Sequence, residues 1–584
     1  MFSPPRSRFL PSWVAGYGPT QARHDLIAGL VVVVMLVPQS LAYALLAGLP
    51  AEAGLYASML PIVAYAAFGS SRTLAVGPVA VVSLMTASAL APLAVAGSPE
   101  YSQLALVLAA LSGAILLLLG VLRLGVVANL LSHPVIAGFA TGSALLIIIG
   151  QIKSLAGMPG AGHTALELAA SLLTHLLDVN RAALALGGSA LVLLILARRH
   201  AAASLRRLGV SAASADIGSK LAPVVVVIVA TLITHLLALD TRYGIAVVGT
   251  IPRGLPELHW MLPALGTVEA LIVPAAAIAL VGFVESVSVG QSLAMRRQER
   301  IDPNRELLGL GAANVAAAVA GGLPVTGGFS RTVVNHAAGA QSPLAGVVAA
   351  VAMLLVVSTM SGAFTQLPIC VLAATIIVPT SSLIDIGGLL KTWRYSRADG
   401  LAFALTAGGV LVAGVEVGIA LGILLSLLSI LWRASRPHIA IIGRVPGTEQ
   451  FRNINRVAVD TLPHLLAMRV DENLFFGNVP AVEGELQRAL QAQPAVTDVL
   501  LVMSSVSSID MTALERLIEL NQVLAASGRR LHFADIKGPV FDRLRHTELL
   551  EHLSGRVFRF THEAFEAMGA AGVPHERTVV PAEA

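Results

Sequence analysis

The sequence predicts a polytopic α-helical membrane protein that carries a small α/β domain behind its membrane part, and three observations predict it. Apolar residues make up 56% of the 584 residues and charged residues only 12%, against about 25% charged in soluble domains. Runs such as LIAGLVVVVMLVPQSLAYALLAGL and LALVLAALSGAILLLLGVL each reach the ~20 residues that cross a bilayer core. From about residue 437 the texture changes, with charges returning and apolar residues falling into short blocks.

About fourteen spans are expected from runs of this length, at 25–47, 54–69, 76–95, 103–121, 127–150, 183–197, 219–238, 267–292, 306–320, 329–340, 343–361, 367–385, 399–414 and 416–433. They follow a short N-terminal arm, residues 1–24, that lacks the apolar core and cleavage site of a signal peptide. The basic isoelectric point of 9.4 does not point to nucleic acid, because the cations sort by loop. With the arm inside, loops on that side hold Arg72, Arg123, RRHAAASLRR, RRQERIDPNR and KTWRYSR, while the opposite loops hold only Lys153, Arg181, Arg242 and Arg253. This is the positive-inside bias. It implies a plasma (bacterial-type inner) membrane protein with both termini cytoplasmic and the bilayer as its main partner. A single cysteine, Cys370, excludes an intramolecular disulfide and a multi-cysteine metal site; no cofactor or metal is expected.

In the C-terminal part, residues 437–570, LLAMRV, DVLLVMSSV, RLHFADI and RVFRF read as strands. AVEGELQRALQ, MTALERLIELNQVLAAS and GPVFDRLRHTELLEHLS show helical spacing between them. Strands alternating with helices make an α/β domain, without a phosphate loop, nucleophile elbow or metal spacing. Residues 571–584 are expected to form a disordered tail.

Two stretches interrupt the apolar spans, SSRTLAVGPVAVVSL at 70–84 and GGLPVTGGFSRTVVN at 321–335. Each has an extended piece, then Gly or Pro, then a helical apolar run. Non-helical backbone at membrane depth survives only within protein or beside a cavity, and paired interruptions in corresponding positions of two halves point to a transporter's binding site. Both helix starts would aim free N–H groups at one point, which favours an anion; ordinary packing kinks are the competing reading. Arg331 lies about one turn into the second helix, where an ionisable residue is costly and usually functional. Ser330 and Thr332 add hydroxyl donors, and Thr326, Gly327 and Gly328 let an oxyanion approach the backbone. Glu285, in LVGFVESVSVGQSL, is the acidic residue in the apolar body of its span. It is read as a proton carrier that pairs with Arg331 when no anion is bound; a structural ion pair competes. In the first span Gln39 and Tyr43 share a helical face just after Pro38, either to orient an oxyanion or to bind neighbouring helices.

These motifs resemble the sulfate permease family of anion transporters, whose members end in a STAS domain. AGLYASMLPIVAYAAFGSSR, PQSLAYALLAGLP, and ESVSVGQSLAMRRQERIDPNRELLGLGAANV followed by PVTGGFSRTVVNHAAGA carry the resemblance, the last pair being most similar to the sulfate-transporting, proton-coupled branch. It implies seven plus seven spans in inverted repeat, a core domain (spans 1–4 and 8–11) against a gate domain, a homodimer, and elevator-like alternating access. It also implies substrate contacts from Gln39, Tyr43, Val79, Ala80, Ser330 and Arg331, with Glu285 coupling transport to protons, sodium being the alternative ion. In the STAS-like part SSVSSIDMTALERL falls where regulatory relatives carry a phosphorylatable serine. Here Asp510 is followed by Met511 and Thr512, so packing, dimerisation or trafficking is the expected role.

The expected activity is proton-coupled sulfate import, not enzymatic catalysis. Bicarbonate, a C4-dicarboxylate or another oxyanion remains open as substrate, as does a membrane-anchored sensor that signals anion occupancy through the STAS domain.

Overall fold

The computed structural model describes residues 17–569, apart from 130–131, 161, 210, 212–214, 216–217, 220, 253, 255–257 and 259–263, together with 576–578. The chain divides into two compact units at Ser426/Leu427.

The first unit is helical. Its first half runs α1 (Pro19–Leu46), α2 (Ala51–Tyr56), α3 (Leu60–Phe68), strand β1 (Val76–Gly77), α4 (Ala80–Leu90), α5 (Pro99–Val121), α6 (His133–Ala156), α7 (Ala165–Thr174), α8 (Arg181–Arg207), α9 (Ala222–Leu237) and α10 (Leu239–Tyr243). The second half runs α11 (Leu265–Arg296), α12 (Pro303–Val319), β2 (Thr326–Gly327), α13 (Phe329–Ala337), α14 (Leu344–Met360), α15 (Ile369–Thr380), α16 (Ile386–Tyr395), α17 (Arg397–Ala413) and α18 (Val415–Ser435).

Among the described residues nine helical segments are long and apolar enough to cross a bilayer. The others expected as spans, at 76–95, 219–238, 306–320, 329–340 and 399–414, are helices of 17 residues or fewer, and one of the nine is itself interrupted. The segment at 54–69 divides at Ala57–Met59, where Pro61 opens α3. The span expected at 127–150 is displaced to 133–156, since Pro134 sits in the first turn, a position that sets helix starts, and Gly157 ends the helix at φ +60°. Helix α7 lies in what was expected to be a loop.

Reciprocal packing relates the two halves. Helix α1 packs along α14 and α11 along α5, and both α1 and α11 touch the short helices α4 and α13. That pattern is what two repeats related by a pseudo-twofold axis produce. A second group of helices packs mainly within itself, with α15 against α6 and α8, and α17 against α6.

Two buried carboxylates pin the first group. Glu306, 0% exposed, accepts hydrogen bonds from the Tyr65 hydroxyl, the Ser70 and Ser71 N–H groups and the Ser70 hydroxyl. Asp25, 1% exposed, accepts from the Tyr17 hydroxyl, the Gln341 and Ser342 N–H groups and the Ser342 hydroxyl. Each is a carboxylate whose desolvation is offset by four donors, the condition under which a buried charge is tolerated.

The second unit is an α/β domain. Its strands are β3 (Ile439–Arg444), β4 (Phe451–Asn453), β5 (Val459–Thr461), β6 (Leu465–Val470), β7 (Asp498–Val502), β8 (Arg530–Ala534), β9 (Val557–Phe558) and β10 (Glu576–Thr578). The sheet order is β10-β5-β3-β6-β7-β8-β9, with β4 also on β3. Strands β6 to β9 are parallel, and helices α19 (Val479–Ala492), α20 (Met511–Ala526), α21 (Gly538–Leu544) and α22 (Glu548–Glu551) connect them, followed by α23 (Thr561–Gly569). Alternate residues bury on opposite faces: Leu466, Met468, Leu501 and Phe533 on one, Ala467, Leu500, Val502 and Ala534 on the other. Asp510 caps α20, its Oδ1 accepting from the Ala513 N–H at 2.8 Å and its Oδ2 from the Phe476 N–H at 2.9 Å.

The expected disordered tail needs correction at 576–578, which pairs antiparallel with 459–461. The free edge of β5 supplies the backbone partners that the tail lacks on its own. The rest of 571–584, and residues 1–16 of the N-terminal arm, lie outside the described residues.

Candidate functional site

The two interrupted stretches cross. Strands β1 and β2 pair antiparallel, Val76 opposite Gly327 and Gly77 opposite Thr326, and the Gly328 N–H donates to the Ala75 carbonyl at 3.0 Å. Each half thereby satisfies the other's extended backbone within the protein, as membrane depth requires. Helices α4 and α13 start from this crossing. Neither has a side-chain cap at its N-cap residue, Val79 or Gly328, so first-turn N–H groups are left for another acceptor.

Side chains hold the crossing in place. Asn314 clamps Val325, donating to its carbonyl and accepting from its N–H, both at 2.9 Å. The Thr326 hydroxyl donates to the Gly282 carbonyl at 2.6 Å. It therefore accepts from the Ser286 hydroxyl at 2.7 Å, which in turn accepts from the Gly327 N–H at 2.9 Å. Thr332 accepts from the Ala75 N–H and donates to the Gly328 carbonyl, and the Asn335 amide donates to the Thr73 carbonyl at 2.9 Å. The Thr332 hydroxyl is thus committed to backbone and not turned to a ligand, a correction to its expected role as a donor, and the Thr326 hydroxyl is held by Gly282 and Ser286. Asn314, Ser286 and Asn335 went unnoticed in the sequence because a polar residue in an apolar helix has no local mark of its distant partner.

Arg331 is 2% exposed. Its Nη2 donates to the Pro78 carbonyl at 2.7 Å, while Nη1 is buried without a hydrogen-bond partner. Two glycines make the slot for the guanidinium. A Cβ at Gly77 would stand 2.9 Å from Nη1, and one at Gly328 would stand 2.9 Å from Nε and Nη2; Gly77 also holds φ +154°.

A cavity of about 50 Å³ lies against the two helix starts, lined by Gln39, Tyr43, Val79, Ala80, Glu285, Ser330 and Arg331. The six expected substrate contacts and Glu285 line this one space, although they come from four helical segments, whereas Thr326, Gly327 and Thr332 do not. Pro379, Thr380, Ser382 and Leu383 line it as well. Gln39 is 7% exposed and its Oε1 is buried with no partner. The cavity has room for a few water molecules, the size class of one small oxyanion. No hydrogen bond or ion pair joins Glu285 to Arg331, so the expected direct pair is replaced by the bond from Arg331 to Pro78. Glu285 also lines a larger cavity of about 450 Å³ that reaches His133 and Asp385, and the two cavities share Val81, Phe329, Ser382 and Leu383. Among the described residues no group of three His, Cys, Asp or Glu side chains could hold a metal ion.

The chain is similar to known proteins over most of its length. The family model described as "Sulfate permease family" matches residues 22–406, which contain all seven cavity residues, and the STAS domain model matches 456–564. A Mycobacterium tuberculosis protein named as a probable sulfate transporter is 34% identical over 534 residues, 91% of this chain and 92% of that one. The chloroplastic sulfate transporter 4.1 of Arabidopsis thaliana is 33% identical over 509 residues, 85% of this chain and 73% of that one. The fold is that of the murine Slc26a9 anion transporter in its inward-facing state, with TM-score 0.86 at 23% identity, covering 97% of this chain and 96% of that one. The chain belongs to the sulfate permease family, with a STAS domain following its membrane unit.

Proposed function

We propose that the protein is a secondary transporter that imports sulfate together with a proton, the anion binding between the starts of α4 and α13. One observation carries this reading. A buried donor without a partner, Arg331 Nη1, belongs to a residue lining the same small cavity as two uncapped helix starts. A buried donor or acceptor left unbonded is costly, and an oxyanion with its hydration shell removed supplies acceptors for Arg331, the hydroxyls and the N–H groups at once. The names of the relatives support sulfate as that anion.

Glu285 lines this cavity and supplies the coupling. At ~5 Å and an effective dielectric of ~20, two unit charges interact by about 3 kcal/mol, roughly two decades in an equilibrium constant. An anion beside Glu285 therefore favours its protonation, and protonation favours the anion by the same factor, because linkage is reciprocal. The larger cavity that Glu285 shares opens toward the start of α6, the cytoplasmic end by the distribution of Lys and Arg. This supports an inward-facing arrangement in a plasma membrane with both termini inside. The α1, α4, α11 and α13 group moving against the α6, α8, α15 and α17 group would give elevator-like access, and a homodimer in the same membrane would hold the second group still.

Counterflow of labelled sulfate in proteoliposomes, under an imposed pH gradient, tests the proposal. Sulfate-driven accumulation that follows the proton gradient supports it. Accumulation driven only by bicarbonate, fumarate or a sodium gradient would replace sulfate or the proton, and binding without flux would favour a sensor.

A further inference from the structure

One part of the cavity wall has no role yet. It comes from the end of α15 and the turn after it, Pro379, Thr380, Ser382 and Leu383. Three hydroxyls lie there. Ser381 Oγ donates to the Val378 carbonyl at 2.8 Å and Ser382 Oγ to the Pro379 carbonyl at 2.5 Å, so both are committed to their own turn. Thr380 is 2% exposed, lines the cavity, and its hydroxyl makes no hydrogen bond with any described residue. A buried hydroxyl in a helix ordinarily donates to a carbonyl of the preceding turn, as Thr375 does to Leu372 at 2.7 Å. Thr380 departs from that habit where the cavity passes it.

The wall also belongs to the other helix group. Gln39, Tyr43, Ala80, Ser330 and Arg331 stand on α1, α4 and α13, with α1 packing on both of the others, whereas α15 packs mainly on α6 and α8 and also touches α1. A contact made across two groups that slide past each other exists in only one of their arrangements. We infer that Thr380 donates a hydrogen bond to the bound oxyanion in the inward-facing arrangement alone, making the inner-face site tighter than it would be without it. The inference rests on the transport reading above. It makes Thr380 a determinant of the affinity difference between the two faces, since a ligand biases two states only by its differential contacts with them.

The test uses the full-length protein in right-side-out and inside-out membrane vesicles, with half-saturating sulfate measured from each face. Thr380→Val keeps the shape and removes the donor. It is expected to raise the half-saturating concentration at the cytoplasmic face about tenfold, the loss expected for one hydrogen bond to a charged group, with less than about twofold change at the outer face. Thr380→Ser is expected to restore the cytoplasmic value, which a packing role for the methyl group would not predict. Equal shifts at both faces, or none at either, would overturn the inference. Wild-type vesicles without saturable flux from either face would instead defeat sulfate transport itself. Equilibrium binding in detergent then decides Thr380 separately, with sulfate, bicarbonate and fumarate as probes: an unchanged Kd in Thr380→Val for every anion that binds the wild type overturns it, and a raised Kd restored by Thr380→Ser upholds it.

Discussion

Arg331 Nη2 donates to the Pro78 carbonyl at 2.7 Å, so the cation of one broken span is tied to the backbone of the other. The bond ties the guanidinium to the crossing of β1 and β2 and leaves Nη1 without a partner. Arg331→Lys keeps the charge and loses this tie, because an ammonium cannot reproduce the planar fork. Equilibrium binding of labelled sulfate should weaken at least about tenfold, and Arg331→Ala should abolish it. Retained wild-type affinity in Arg331→Lys would show that only the net charge matters.

The slot for that guanidinium depends on two absent side chains. Gly328→Ala places a Cβ 2.9 Å from Nε and Nη2 and should weaken sulfate binding by displacing Arg331 while the protein remains folded. Gly188→Ala, with nothing within 4 Å of its Cβ, serves as the matched control and should bind normally.

Glu285→Gln removes the titrating group and keeps its size. Uptake by the wild type is expected to fall as external pH rises, and the variant's uptake should lose that dependence while sulfate exchange between two saturated faces persists. A pH profile identical to the wild type would assign proton coupling to another residue.

Glu306 is a stability element. Glu306→Gln keeps one acceptor oxygen for the Ser70 and Ser71 donors and turns an amide N–H₂ toward the Tyr65 hydroxyl, which must then accept instead of donate; the loss of charge-assisted bonds costs on the order of 1–3 kcal/mol. A lowered melting temperature of the detergent-solubilised protein checks this; an unchanged one would mean that water enters to satisfy the donors.

The STAS domain carries a group that responds to acid. His532 Nδ1 accepts from the Arg556 N–H at 2.9 Å, which fixes the proton on Nε2, and Nε2 donates to Asp498 Oδ1 at 2.8 Å. Burial pushes the imidazole below its ordinary value of 6.5, against the opposing pull of Asp498. A folded-state value below the unfolded one means that the unfolded chain binds the proton more readily. The contribution is present above about 6.5 and is lost as pH falls from there through the folded value. Asp498 itself is held below the usual carboxylate range: burial raises it, but hydrogen bonds from Arg530, His532 and Thr497 outweigh that, so its contribution is lost at still lower pH. Hydrogen exchange at β8 and β9 should accelerate as pH falls below about 6.5 after correction for the intrinsic rate, and His532→Phe should flatten that response.

Length, apolar runs and loop charge made a polytopic membrane protein legible, because bilayer thickness imposes a minimum run of residues on any spanning helix. The Gly–Pro interruptions were legible too, since backbone that leaves the helix in an apolar span needs an internal partner. The seven cavity residues were legible once those interruptions were joined to the family's motifs. Tertiary structure alone decided how they meet. Asn314 and Ser286 hold the strand crossing through bonds to distant backbone, Arg331 pairs with a carbonyl in place of Glu285, and Thr380 lines the cavity from the other helix group. Sequence periodicity reports which face of an element is apolar. It does not report which distant carbonyl a buried donor will find, because that is settled only when two halves of the chain, some 250 residues apart, pack against each other.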